Sequence, residues 1–153
     1  MATPTSNTEW PSPALAEPVK VLINRAFETA DLKAEDCGER VAREVFVPTG
    51  KMVINKKTFA GSQAIADLQN ASWKVLQART HRIHKVFRAG PADDTFMFFG
   101  TASWTFNNGA YVEAPFANRW IIEGADTDDP KIVLFQAFAD MSGFDAEAKR
   151  QQT

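Results

Sequence analysis

The chain has 153 residues, of which 44% are hydrophobic and 24% charged, as in an ordinary globular protein with one sizeable core. Its net charge is −2 and its 17 basic residues are scattered, so the sequence carries no electrostatic footprint for nucleic acid or an anionic membrane surface. The longest apolar runs fall far short of the roughly 20 residues that span a bilayer, and no secretory signal is visible, which predicts a cytoplasmic protein.

The sequence also argues against metal and cofactor chemistry. The single cysteine, Cys37, rules out an internal disulfide and leaves the two histidines without the partners of a zinc site. There is no nucleotide-binding loop, nucleophile elbow or flavin fingerprint, which argues against redox and phosphoryl-transfer reactions. We therefore expect neither a metal nor a cofactor.

The N-terminal half has a helical pattern. Residues 1–12 are rich in Thr, Ser, Asn and Pro, which predicts a mobile arm. Apolar residues recur at helical spacing over Glu17–Asp31 and again over Glu35–Phe46. A short strand is predicted at Lys51–Asn55, and Gly61-Ser62 begins a third helix.

From Arg79 onward the apolar pattern has a period of two, which predicts long β-strands. In the first strand the odd positions are the more apolar, so they are expected to face the interior and His84 to face outward. These odd positions are His81, Ile83, Lys85 and Phe87.

The next two strands carry most of the aromatic residues, and Asn107-Asn108-Gly109 predicts a hairpin between them. Pro115 predicts a bulge or a sheet edge, because proline cannot donate to a strand ladder. The last strand, Lys131–Asp140, is apolar on both faces. The expected inner faces are Phe96, Phe98, Gly100, Ala102, Trp104 and Phe106 on one strand, and Val112, Ala114, Phe116, Asn118, Trp120 and Ile122 on the other.

These elements predict an α+β fold in which three helices cover one face of a bent antiparallel sheet of four or five strands. The sheet then forms a cone, with a single domain over residues 13–143 and a polar tail over residues 144–153. Met97, Phe99 and the last strand leave the other face of the sheet apolar. We therefore predict a homodimer formed through the outer sheet face.

Several segments resemble a known superfamily. Phe46–Gly50 before a strand and Phe59–Ile65 entering a helix resemble the nuclear transport factor 2-like proteins, and more closely their SnoaL-like, polyketide-cyclase-type members. A largely uncharacterised fungal branch of that group is similar over four further segments. These are Arg79–Phe87, Phe99–Thr101, Asn118–Trp120 and Phe135–Asp140.

The resemblance covers roughly Glu17 to Met141 and implies a cone, commonly dimeric, with a cavity between sheet and helices. Its members include ketosteroid isomerase, scytalone dehydratase, polyketide cyclases and non-catalytic binders, so the fold alone does not specify a reaction.

His81 is the main catalytic candidate. It lies on the expected inner face and matches a strand histidine that often faces the cavity in SnoaL-like proteins. A histidine can take up and return a proton in enolisation, dehydration or cyclisation. The alternative is a histidine that is hydrogen-bonded structurally inside the cone.

Asp31 and Asp140 are the candidate carboxylates. Asp31 matches the end of the first helix, where scytalone dehydratase-like enzymes carry a Tyr-Asp pair, although no tyrosine accompanies it here. Asp140 ends the last strand and could serve as a base if it faced the cavity. The alternatives are a helix-capping role for Asp31 and a strand-end role for Asp140, in which it binds backbone amides.

The expected ligand is a small apolar, polyketide- or terpenoid-like molecule. We predict an isomerase, cyclase or dehydratase that needs no cofactor; the alternatives are a non-catalytic carrier or a dimeric scaffold with a filled cone. The expected ligand-binding residues are Asn118, Trp104, Trp120, Phe98, Phe116, Trp73 and Lys85.

Overall fold

The computed structural model describes residues 2–152, which form four α-helices and six β-strands. The helices are α1 (Glu17–Asp31), α2 (Cys37–Val45), α3 (Ser62–Ser72) and α4 (Ser142–Arg150). The strands are β1 (Phe46–Ile54), β2 (Lys57–Ala60), β3 (Leu76–Arg88), β4 (Thr95–Phe106), β5 (Tyr111–Glu123) and β6 (Lys131–Ala139). None of the helices in this range is long and apolar enough to cross a membrane.

The six strands form one curved, open sheet in the order β2-β1-β6-β5-β4-β3, which confirms the predicted α+β cone. All neighbours are antiparallel except β1 and β6, which run parallel. The sheet has more strands than predicted because β2 forms a short hairpin with β1, which is itself longer than expected.

The inner faces of β4 and β5 are buried as the alternation predicts. Phe96, Phe98, Phe106 and Trp120 are each at most 1% exposed. Burying one such ring contributes on the order of 1.5–3 kcal/mol to stability, so these two strands supply much of the core.

A bulge in β3 changes the facing of its second half. The pairing of β3 with β4 shifts register between Ile83 and Lys85, which adds one residue and inverts the alternation beyond it. As a result Val86 is buried while Phe87 is 45% exposed. The expectation that Lys85 lines the cavity is therefore wrong: its Nζ forms an ion pair with Glu9 Oε1 on the outer side, at 3.2 Å.

The N-terminal arm pairs with the free edge of β3. The N–H of Glu9 donates to the carbonyl of His84 at 2.9 Å, and the N–H of Val86 donates back to Glu9 at 3.0 Å. Nearer the start of the arm, the carbonyl of Pro4 accepts a hydrogen bond from the N–H of Ile83 at 2.9 Å. β3 is an edge strand whose unpaired backbone groups need partners, and the arm supplies them.

Two further details refine the sequence prediction. β6 pairs with β5 only from Phe116 onward, so Pro115 lies on an unpaired edge, which was one of its two predicted settings. The tail contains α4, whose Phe144 ring lies 5.2 Å from the rings of both Trp104 and Phe106. The packed domain therefore extends beyond residue 143.

Candidate functional site

The side chains of His81 and Asp31 meet where the end of α1 lies against β3. His81 Nδ1 is 2.6 Å from Asp31 Oδ1, and the backbone N–H of His81 donates to Asp31 Oδ2 at 2.8 Å. Because a carboxylate can only accept, the proton of the side-chain hydrogen bond belongs to Nδ1. In the neutral imidazole His81 Nε2 is then the acceptor, and it has no hydrogen-bond partner within residues 2–152.

This pair lies at the boundary between the packed interior and solvent. The side chains of His81 and Asp31 remain 16% and 15% exposed. The imidazole lies against two aromatic rings, with centroid distances of 4.9 Å to Phe27 and 5.6 Å to Phe116. Both rings are themselves buried, at 3% and 7% exposed, so they pack against the imidazole from the interior side.

The position of Asp31 is electrostatically unfavourable on its own. It is the last residue of α1, where the helix dipole disfavours negative charge, and the last turn of α1 contains no basic residue. The compensating donors and positive charge come from β3, through His81 and Arg79. The pair therefore depends on how α1 packs against the sheet.

Arg79 lies two residues before His81 and is almost fully buried behind Asp31. Its Nε is 3.5 Å from Asp31 Oδ1, and its guanidinium stacks 4.9 Å from the ring of Trp73. Nη2 donates to Gln69 Oε1 at 2.9 Å and to the carbonyl of Ala30. Burial lowers the pKa of Arg79, and the charge of Asp31 opposes that shift.

Sequence analysis did not single out Arg79, although its parity with His81 was a usable signal. Residues two apart on a strand share a face, so an inward His81 implies an inward Arg79. A buried arginine requires anionic or carbonyl partners, which the end of α1 provides.

The interior of the cone behind the pair is filled by aromatic side chains. The ring of Trp120 lies 5.8 Å from Phe27, 5.1 Å from Phe98 and 5.2 Å from Phe135. Of the aromatic residues expected to line a cavity, Phe116 contacts the His81 ring. Trp120 and Phe98 instead form the core, and so do Trp104, which packs against Phe144, and Trp73, which packs against Arg79.

Two buried polar atoms on the inner face of β5 have no partner within the described residues. They are Oδ1 of Asn118 and Nε1 of Trp120, in side chains that are 1% and 0% exposed. Each unsatisfied buried group costs about 1–3 kcal/mol, so such atoms call for a water or ligand partner. Asn118 therefore remains a candidate ligand-binding residue.

Asp140 lies apart from this site. Its side chain is exposed and accepts a hydrogen bond from the N–H of Ser142 at 3.0 Å, and this bond lowers the pKa of Asp140. The expectation that Asp140 assists His81 is therefore wrong. The contact with the Ser142 N–H matches the alternative, in which Asp140 binds a backbone amide at the end of the strand. Within residues 2–152 there is no group of three His, Cys, Asp or Glu side chains that could hold a metal ion.

No protein-family profile matches the chain, and no curated protein matches its sequence. Solved structures do match. A protein described as a SnoaL-like polyketide cyclase, from Jannaschia sp. CCS1, is 12% identical with a TM-score of 0.65, covering 85% of this chain and 90% of its own. TerC, co-crystallised with polyporic acid, is 16% identical with a TM-score of 0.66, covering 85% of this chain and 97% of its own.

This chain has the nuclear transport factor 2-like fold. A phenazine biosynthesis-related protein from Pseudomonas aeruginosa has the same fold, at 18% identity and a TM-score of 0.59, with 82% of each chain covered. The structural similarity establishes the nuclear transport factor 2-like architecture. Because the identities are this low, the chemistry has to be argued from the residues of this chain.

Proposed function

We propose that this protein is a cofactor-independent isomerase, cyclase or dehydratase that moves a proton on a small apolar molecule. The observation that carries the proposal is the 2.6 Å contact between His81 Nδ1 and Asp31 Oδ1, in a pair whose side chains are 16% and 15% exposed. In the neutral imidazole this contact places the proton on Nδ1 and leaves Nε2 as an acceptor, so the ring can serve as a general base.

In the proposed reaction, Nε2 of His81 removes a proton from a carbon next to a carbonyl group of the substrate. The electron pair of the broken C–H bond forms an enolate, and the Asp31 carboxylate stabilises the imidazolium that results. The same imidazolium then returns its proton to another atom of the substrate, so no oxidant or cofactor is consumed. Phe27 and Phe116, which are 3% and 7% exposed, pack against the imidazole from the interior and hold the ring in place.

The substrate is proposed to approach from the exposed side of the pair, because aromatic rings fill the interior around Trp120. A ligand that enters more deeply displaces Phe27 and meets the free acceptor of Asn118 and the free donor of Trp120. Structures with the same fold include a protein described as a polyketide cyclase and TerC in complex with polyporic acid. This similarity supports an aromatic or polyketide-like substrate.

Deuterium exchange tests the proposal without knowledge of the natural substrate. The protein is incubated in D₂O with 2-tetralone and a panel of related apolar ketones, and loss of the α-proton signal is followed by NMR. We expect exchange faster than without protein for at least one class of ketone. The His84→Gln variant should retain it, because His84 is exposed on the outer face and bonded to Thr101. Exchange at the protein-free rate across the panel would contradict the proposal.

The filled interior favours a second candidate function, that of a dimeric scaffold. The evidence for this candidate lies on the outer face of the sheet. An apolar stripe crosses β3, β4, β5 and β6 there, over a depression of about 230 Å³. We propose that a second copy of this chain covers it, since an apolar stripe can pack against its own copy about a two-fold axis. The exposed residues of the stripe are Phe87, Met97, Phe99 and Phe138.

Replacing Phe99 with glutamate is expected to convert a dimer into a monomer, because the dimer would bury the new charge. Sedimentation velocity over a range of concentrations measures the state. Val21→Glu is the matched control, since Val21 is similarly exposed, at 42%, but lies on α1. A wild-type protein that sediments as a monomer throughout would exclude the homodimer.

A further inference from the structure

The guanidinium of Arg79 is fixed more tightly than an ordinary ion pair requires. It stacks on Trp73, donates to Gln69 and to the Ala30 carbonyl, and approaches the Asp31 carboxylate with Nε. These contacts constrain the plane of the group, its position and its rotation. We propose that Arg79 is a positioning residue that holds Asp31 and, through it, the His81 ring.

The residues that hold Arg79 are themselves held. Trp73 Nε1 donates to Cys37 Sγ at 3.3 Å, and the Cys37 thiol donates to the carbonyl of Thr29 at 3.6 Å. Gln69 Nε2 donates to Met52 Sδ at 3.7 Å. The chain of contacts thus runs from β3 through α3 and α2 and returns to the last turn of α1.

This network ends at Ala30 and Asp31, which together set the position of the Asp31 carboxylate. Arg79 binds the carbonyl of Ala30, the residue before Asp31, so it fixes the backbone that carries the carboxylate. Its Nε has no hydrogen-bond acceptor within residues 2–152, and Asp31 Oδ1, at 3.5 Å, is its ion-pair partner. Asp31 forms ion pairs with His81 and Arg79, both from β3, and Arg79 also interacts with Cys37 of α2.

Lysine cannot reproduce these contacts. A guanidinium presents five donors in a rigid planar fork and stacks on an aromatic face, whereas an ammonium is a single point charge. Arg79→Lys therefore retains the positive charge while removing the geometry. The Arg79→Lys variant therefore distinguishes a role in positioning Asp31 from a role in neutralising its charge.

The inference rests on the proposed function for its purpose, but its test does not require a substrate. The ring-nitrogen resonances of ¹⁵N-labelled histidine report which nitrogen carries the proton. In the wild type we expect His81 to be the Nδ1–H tautomer, bonded to Asp31. In Arg79→Lys and Arg79→Met we expect a mixture with the Nε2–H tautomer and loss of the hydrogen-bonded Nδ1 proton signal. His84, in the same spectrum, should not change.

The control is Arg82→Met, which removes an exposed arginine from the same strand and should leave the His81 spectrum unchanged. Arg79→Met leaves Asp31 without its buried partner, so if it fails to fold, the Arg79→Lys variant decides. A folded Arg79→Lys protein with the wild-type His81 tautomer would overturn the inference. If the tautomer changes but no ketone exchanges with the wild type, Arg79 positions the pair and the proposed function fails separately.

Discussion

Replacing His81 with asparagine is expected to reduce protein-dependent deuterium exchange by about 10²–10⁴-fold, the usual contribution of a positioned general base. Asparagine retains a hydrogen-bonding side chain of similar reach, so Asp31 keeps a partner and the variant is expected to fold. It cannot accept a proton from carbon at neutral pH. The measurement is the initial rate of α-proton loss at fixed ketone concentration, compared with the protein-free rate.

His84→Gln provides the matched control, because it removes the other histidine of the chain from the same strand. Its expected rate is that of the wild type, since His84 bonds Thr101 on the opposite side of the sheet. If His81→Asn and His84→Gln exchange equally well, the activity does not arise from the His81–Asp31 pair. Circular dichroism and thermal unfolding of both variants would show that any loss is not a loss of folding.

The fold and the inward facing of the His81 ring could be predicted from sequence because both depend on short-range patterns. The alternation over β4 and β5 is regular, and the half of β3 that contains Arg79, His81 and Ile83 keeps its parity. The contact between His81 and Asp31 could not be predicted, because the two residues are 50 positions apart and meet only through the packing of α1 against β3. Local periodicity contains no information about that distance.

Lys85 illustrates a different limit. One extra residue at the bulge inverts the facing of everything beyond it, and no sequence feature near His84 marks the bulge. The binding of arm residues 4–9 is also invisible to composition, because the arm's backbone groups and the hydroxyls of Thr5 and Thr8 bond to partners that are distant in sequence. Its composition indicates mobility, whereas the free edge of β3 determines where it binds.

Replacing Trp120 with alanine is expected to lower the free energy of unfolding by about 3–5 kcal/mol, the usual cost of deleting a large buried ring. Trp120 is fully buried, and its ring lies 5.8 Å from Phe96 as well as close to Phe27, Phe98 and Phe135. Urea denaturation of wild type and variant gives the difference from their midpoints and slopes. The control, Val21→Ala, truncates a 42% exposed side chain on α1 and should cost less than about 1 kcal/mol.

Trp120→Phe separates packing from the unpartnered Nε1 of the indole. It keeps a ring in the core and removes a buried donor whose unsatisfied state costs about 1–3 kcal/mol, so we expect a much smaller loss than for alanine. Neither variant removes a partner of the His81–Asp31 contact, so a substrate bound at the exposed side of the pair should still undergo exchange in both, under conditions where they remain folded. A Trp120→Ala protein as stable as the wild type would mean that the cone is not filled around this residue. A Trp120→Phe protein that folds well but has lost exchange would instead place the substrate inside the cone, against the indole N–H, and not at the exposed side of His81.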